Sequence, residues 1–183
     1  MVKNAATRSK WIPMPSVSMD FRLPDSSSTE VLGRALARAF PMPNSGAVVY
    51  LQGELGSGKT TCVRSLLRGL GVTAPVRSPT YTLVDHYSLA ALECVHVDLY
   101  RLRSAAEVDE LGLRDFVGQG CLMLIEWPDK GGAAVPPADL NMTLEYAGAG
   151  RTTTLLADTD FGERWLENLG RDSSLIPYVS NLT

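Results

Sequence analysis

The chain has 183 residues, 45% of them hydrophobic, enough for one compact domain with a buried core. A formal net charge of −3 excludes a general attraction to nucleic acid or anionic membrane, so any such contact has to be local. Cys62, Cys94 and Cys121 are widely spaced with no CxxC pair, which argues against a disulfide framework and a zinc site. No 18-residue apolar run offers a membrane span, and the first 20 residues carry Lys3, Arg8 and Lys10 without an apolar h-region. The expectation is a reduced, cytoplasmic protein.

Residues 1–15, punctuated by Pro13 and Pro15, read as a flexible leader to a single domain over 16–170. Residues 17–23 read as a short strand. Ser27-x-x-Glu30 reads as a capping box ahead of the apolar helical face Val31, Leu32, Ala35, Leu36, Ala39 and Phe40, which Pro41 ends. An apolar strand at 47–51, a glycine-rich loop and a helix follow. Cys62, Val63, Leu66, Leu67 and Leu70 share one side of that helix, which stops at Gly71. Ser78-Pro79 opens an extended stretch at 80–87, and a strand at 92–97 makes a hairpin with it.

Residues 104–118 read as short helix interrupted at Gly112. The unbroken apolar run 121–125 reads as a central strand covered on both faces. Leu140, Met142, Leu144 and Tyr146 alternate with polar neighbours, and 152–156 completes a second hairpin. A last helix begins at the Asp160-x-x-Glu163 box, turns Phe161, Trp165, Leu166 and Leu169 inward, and stops at Gly170. The tail 171–183 has no clear period. Together these give an α/β fold, a mixed sheet with hairpin insertions sandwiched by helices.

Residues 53–60, Gly-Glu-Leu-Gly-Ser-Gly-Lys-Thr, match the phosphate-binding (Walker A) pattern GxxxxGK[ST] in its strand–loop–helix setting. The glycines let the backbone approach an anion, and N–H groups at the helix start face its oxygens. The candidate nucleotide-binding set is Gly53, Gly56, Ser57, Gly58, Lys59, Thr60 and Thr61. Lys59 suits the β- and γ-phosphates, and the Thr60 hydroxyl suits Mg²⁺. No Asn is followed by Lys, so the guanine-reading Asn-Lys-x-Asp segment is absent and adenine is favoured by elimination.

A phosphate loop needs a carboxylate for magnesium and a group to orient the attacking water. Asp98 and Glu126 each end an apolar strand. Glu126 follows the more uniformly apolar one, expected beside the phosphate-loop strand, so it is assigned to the metal with Thr60. Asp98 is assigned to the water or to an outer role at the metal. His96 shares a strand face with Asp98 and reads as a structural, hydrogen-bonded histidine. Thr80 and Thr82 lie where a segment could close over the γ-phosphate, or are plain hairpin residues.

Four motifs come in order: Gly53-Glu-Leu-Gly-Ser-Gly-Lys-Thr-Thr61, Ser78-Pro-Thr-Tyr-Thr-Leu-Val84, His96-Val-Asp-Leu-Tyr-Arg101 and Glu126-Trp127-Pro128. Over residues 17–170 this set resembles the bacterial tRNA threonylcarbamoyladenosine biosynthesis ATPase family, TsaE. The resemblance implies a P-loop NTPase-like three-layer sandwich and a slow ATPase that takes ATP and Mg²⁺. It also implies the partner proteins TsaD and TsaB, with which the family installs threonylcarbamoyl on adenosine 37 of tRNAs reading ANN codons. The carbamoyl transfer itself belongs to the partner.

Carried over by motif, Thr60 and Glu126 fall at the magnesium positions and Asp98 at an acid needed for hydrolysis. Thr80 and Thr82 fall in the switch-like segment, and Trp127 falls beside the site. Ser57 stands where the family often has Ala. The charge argument adds that the isolated chain should not bind tRNA tightly. The alternative is a small-molecule kinase using the same loop, with Asp98 as base and Arg101 or Arg103 on a lid.

Overall fold

A computed structural model describes residues 17–41, 46–118 and 120–182. The expected leader 1–15 lies outside these residues. β1 (Ser18–Leu23) turns Met19, Phe21 and Leu23 into the core, the period-two alternation of a strand covered on one face. α1 (Ser26–Ala39) begins at a capping box other than the expected Ser27–Glu30 pair. Asp25 is the N-cap, its Oδ1 accepting from the Ser28 N–H at 2.8 Å, and Ser28 Oγ accepts in return from the Asp25 N–H at 3.2 Å. An aspartate caps as well as a serine, and Asp25 comes first after Pro24.

β2 (Ala47–Gln52) runs through the phosphate-loop sequence into α2 (Lys59–Gly69). β3 (Val84–Leu89) and β4 (Leu92–Asp98) make the first hairpin, followed by α3 (Ala105–Asp109) and a 3₁₀ turn at Leu113–Phe116. β5 (Cys121–Glu126) precedes the second hairpin, β6 (Leu140–Ala147) and β7 (Gly150–Ala157), and then α4 (Asp160–Leu169). Thr159, rather than Asp160, caps α4, its hydroxyl oxygen accepting from the Gly162 N–H.

Two further expectations are corrected. The stretch 80–87 becomes strand only at Val84. Leu83 sits at φ 65°, its N–H reaching Pro79 O at 2.6 Å and its carbonyl accepting from the Asp98 N–H at 3.0 Å. Residues 79–83 are therefore a turn docked on the end of β4. The tail read as lacking a period supplies β8 (Val179–Leu182), which pairs antiparallel with β1, and Leu175 on the way is buried.

All eight strands form one mixed sheet in the order β3-β4-β5-β2-β6-β7-β1-β8. β4, β5, β2 and β6 are mutually parallel; the remainder pair antiparallel. α1, α2 and α4 cover one face, packing Leu36, Leu66, Trp165 and Leu166 onto Val49, Leu51, Leu122, Leu124 and Met142. Among the described residues the other face is covered over β4, β5 and β2, by Val108, Leu113 and Val135 against Val48, Val95, Val97, Met123 and Ile125. The described residues thus make three layers over β4, β5 and β2 and two over β6, β7 and β1.

α1 and α2 meet almost backbone to backbone. A Cβ on Gly33 would stand 2.6 Å from Cys62 O, and one on Gly69 would stand 2.5 Å from the Ala37 Cβ. Among the described residues no helix is long and apolar enough to cross a membrane.

Candidate functional site

The carboxyl ends of β2, β4 and β5 open onto a cleft of about 360 Å³, where an open parallel sheet binds ligands. β2 enters the loop through Gly53 at φ 129°, where a Cβ would stand 2.1 Å from Leu144 O, so a side chain there would displace backbone. Lys59 opens α2. Its Nζ donates to Gly53 O at 2.7 Å and Glu54 O at 2.9 Å, and lies 4.0 Å from the centroid of the Trp127 ring. Burial lowers the Lys59 pKa below the ordinary lysine value, partly offset by the negative charges of Glu126, Asp98 and Asp129.

Thr60 Oγ1 donates to Glu126 Oε1 at 2.8 Å. His96 Nε2 lies 3.0 Å from the same oxygen, so His96 is the hydrogen-bonded residue the sequence suggested, with its Nδ1 unpartnered among the described residues and the ring fully buried. Asp98 is held at both oxygens. Oδ1 accepts from the Tyr100 N–H at 3.0 Å, and Oδ2 accepts from the hydroxyls of Ser78 and of Thr80, the latter at 3.1 Å. Glu126 and Asp98 are 2% and 3% exposed, so these partners replace most of their hydration.

The ranking of β5 as the strand beside β2 holds, since β5 lies between β2 and β4. Of the expected residues, Gly56, Lys59, Thr60, Thr80, Asp98 and Glu126 line the cleft. Ser57 is fully buried, and its hydroxyl has no hydrogen-bond partner among the described residues. Thr82 is turned elsewhere, its hydroxyl donating to Asp85 at 3.2 Å. Ser78, which the sequence marks as the opening of an extended stretch and the start of one of the four motifs, also reaches Asp98. Trp127 has φ 60°, its N–H donates to Leu51 O, and its ring packs at a tilt against Tyr100 with centroids 5.0 Å apart, which fixes the platform under Lys59.

Cys62 sits one turn into α2 below the cleft. Burial, with the Glu126 charge behind it, pushes its thiol up to about 12, so it is no nucleophile at neutral pH. The acid and hydroxyl oxygens at the cleft are a hard donor set that suits a magnesium-sized cation, and the adjoining glycine loop and ammonium suit a polyphosphate.

The family profile described as threonylcarbamoyl adenosine biosynthesis protein TsaE matches residues 23–154. The chain is 42% identical over 116 residues to the Haemophilus influenzae tRNA threonylcarbamoyladenosine biosynthesis protein TsaE, covering 63% of this chain and 73% of that one. It is 33% identical over 159 residues to the Bacillus subtilis protein of the same name, covering 86% and 97%. Among solved structures, Bacillus subtilis YdiB superposes with a TM-score of 0.71 at 28% identity, over 86% of this chain and 97% of that one. With the phosphate loop, the paired strand-end acids and this family match in agreement, the chain belongs to the TsaE family of threonylcarbamoyl adenosine biosynthesis proteins.

Proposed function

We propose that this chain is the ATP-hydrolysing component of the assembly that forms threonylcarbamoyladenosine at position 37 of ANN-decoding tRNAs, working slowly in the cytoplasm with TsaD and TsaB. The observation that carries the reading is the Thr60–Glu126 hydrogen bond, 2.8 Å, beside the Lys59 ammonium at the mouth of the phosphate loop. Thr60 and Glu126 are the residues that would hold Mg²⁺, which supplies charge neutralisation at phosphate oxygens.

Lys59 offers an ammonium, now satisfied by loop carbonyls, to the β- and γ-phosphates. Asp98 keeps lone pairs on oxygens already fixed by Ser78, Thr80 and Tyr100, so it orients a water without first paying to order itself. The carbamoyl transfer belongs to the partner. A net charge of −3 supports the further point that the lone chain does not grip tRNA.

The test is ADP release by the purified chain with and without TsaD and TsaB, alongside tRNA titration. The expected result is slow release without added metabolite, faster with the partners. The expected tRNA Kd is no tighter than about 10⁻⁶–10⁻⁴ M, the non-specific range. Nanomolar tRNA binding, or hydrolysis indifferent to the partners but switched on by a small metabolite, overturns this reading. The second outcome favours the kinase, for which Arg101 in the cleft wall would supply the lid cation.

A further inference from the structure

β6 runs parallel beside β2, so the turn end of the β6–β7 hairpin reaches the outer side of the phosphate loop. Tyr146 and Arg151 are direct cross-strand partners at that end. The Tyr146 hydroxyl donates to Leu55 O at 2.9 Å, and Arg151 Nε donates to Ser57 O at 2.5 Å. The loop lies tightly against both: a Cβ on Gly56 would stand 2.7 Å from the Tyr146 hydroxyl oxygen, and one on Gly58 3.2 Å from Arg151 Nε. Tyr146 is 52% exposed, so its ring is poorly explained by core packing, whereas its hydroxyl has a defined task.

The consequence follows from the peptide unit. In a planar trans peptide the C=O and the following N–H point in opposite directions. Holding Leu55 O outward turns the Gly56 N–H the other way, and holding Ser57 O outward does the same for the Gly58 N–H. Lys59 takes the carbonyls of Gly53 and Glu54, so the hairpin takes two that the lysine leaves.

We propose that the β6–β7 hairpin clamps the phosphate loop from outside, with Tyr146 and Arg151 as positioning residues that set the Gly56 and Gly58 N–H groups for an anion. The value of this for binding rests on the nucleotide reading above; the clamp itself does not. Neither residue lies in the loop motif: Tyr146 bonds Leu55 across a separation of 91 residues, and Arg151 bonds Ser57 across 94. A loop already oriented binds phosphate without an ordering cost, which is how preorganisation raises affinity.

The experiment uses the full chain and the variants Tyr146→Phe, Arg151→Met and Lys59→Ala. Amide ¹⁵N relaxation of the ligand-free proteins reads the loop, a Mg-ATP titration reads binding, and thermal unfolding controls for the fold. The clamp predicts that order parameters at Gly56 and Gly58 fall from about 0.85 toward 0.6 in Tyr146→Phe and Arg151→Met, while those of β5 and α4 hold. ATP affinity should fall about 3- to 10-fold in each, the worth of one hydrogen bond, with the unfolding midpoint unchanged. Loop order parameters equal to wild type overturn the clamp, as does a loss of order spread over the whole sheet. Loss of affinity in Lys59→Ala alone also overturns it and leaves the nucleotide reading standing. A wild-type chain without ATP affinity but with the loop loosened in both variants overturns the nucleotide reading and supports the clamp.

Discussion

Asp98 and Glu126 are register partners, the last residues of the adjacent parallel strands β4 and β5, so two acids stand side by side at the cleft on one ladder. Their surroundings divide them. Glu126 is tied to α2 through Thr60, whereas Asp98 is tied to the turn before β3 through Ser78 and Thr80. The pair is therefore separable by mutation, and each member predicts a different kinetic signature.

Glu126→Gln should raise the Mg²⁺ concentration needed for half-maximal ATP hydrolysis about tenfold or more, a scale that even outer partners of metal sites reach. Nucleotide binding measured without metal should change little. Magnesium titration of ATPase rate, beside a fluorescent-analogue titration in EDTA, checks both halves. The same shift in Asp98→Asn instead would reverse the assignment of the two acids.

Asp98→Asn should lower kcat about 10²-fold or more with ATP affinity nearly unchanged, the pattern of an interaction made chiefly in the transition state. Single-turnover rates and equilibrium binding on one preparation separate the two quantities. A matched fall in both would place Asp98 in ground-state binding.

Lys59→Ala should weaken ATP binding by about 1.5–3 kcal/mol, the worth of charge-assisted hydrogen bonds. The apo contacts of Lys59 to Gly53 O and Glu54 O also disappear, so the variant's unfolding curve has to be recorded alongside. Unchanged affinity in a folded variant would remove the phosphate-loop assignment.

Ser57→Ala should stabilise the protein. The hydroxyl is buried without a partner among the described residues, and such a group costs about 1–3 kcal/mol of lost hydration. Replacing it should raise the unfolding midpoint by about 2–4 °C, scaled for a chain of this size at about 1 kcal/mol. A lower midpoint would mean that the hydroxyl is paired in solution.

The Arg38–Asp172 contact should show in acid. Burial alone would raise the Asp172 pKa, but hydrogen bonds from the Ser174 hydroxyl and N–H and from Arg38 outweigh it and hold the carboxyl below its ordinary value. A carboxyl depressed on folding contributes stability above its unfolded pKa and loses it as pH falls through the folded one. Asp172→Asn should therefore cost up to about 1 kcal/mol at pH 7, the scale of a solvent-screened pair, and less in acid at pH 2. Urea unfolding at the two pH values gives the difference; a cost independent of pH would assign the effect to packing.

The strand–loop–helix unit, the central place of β5 and the existence of the two hairpins were legible because their signals are local. A glycine pattern fixes backbone conformation where it stands, and a strand covered on both faces has to be apolar at every position, as 121–125 is. β8 was not legible, because a four-residue edge strand takes its register from β1 rather than from a period of its own. The turn at 79–83 reads as strand by composition, and only its bonds to β4 hold Leu83 at positive φ. Asp98's hydroxyl partners and the hairpin's grip on the loop join segments 18 to 94 residues apart, a distance no sequence window spans.

The near contact of α1 and α2 at Gly33 and Gly69 has a mechanical consequence. Helices separated by a layer of side chains can slide, because rotamers absorb the motion; helices whose backbones touch have no such cushion. α1 and α2 are in that second condition, and α4 is hung on α1 by Trp165 Nε1 donating to Leu36 O at 2.9 Å. Any tilt of the helix that starts at Lys59 is thus handed on, without slack, to the whole helical layer on that side of the sheet.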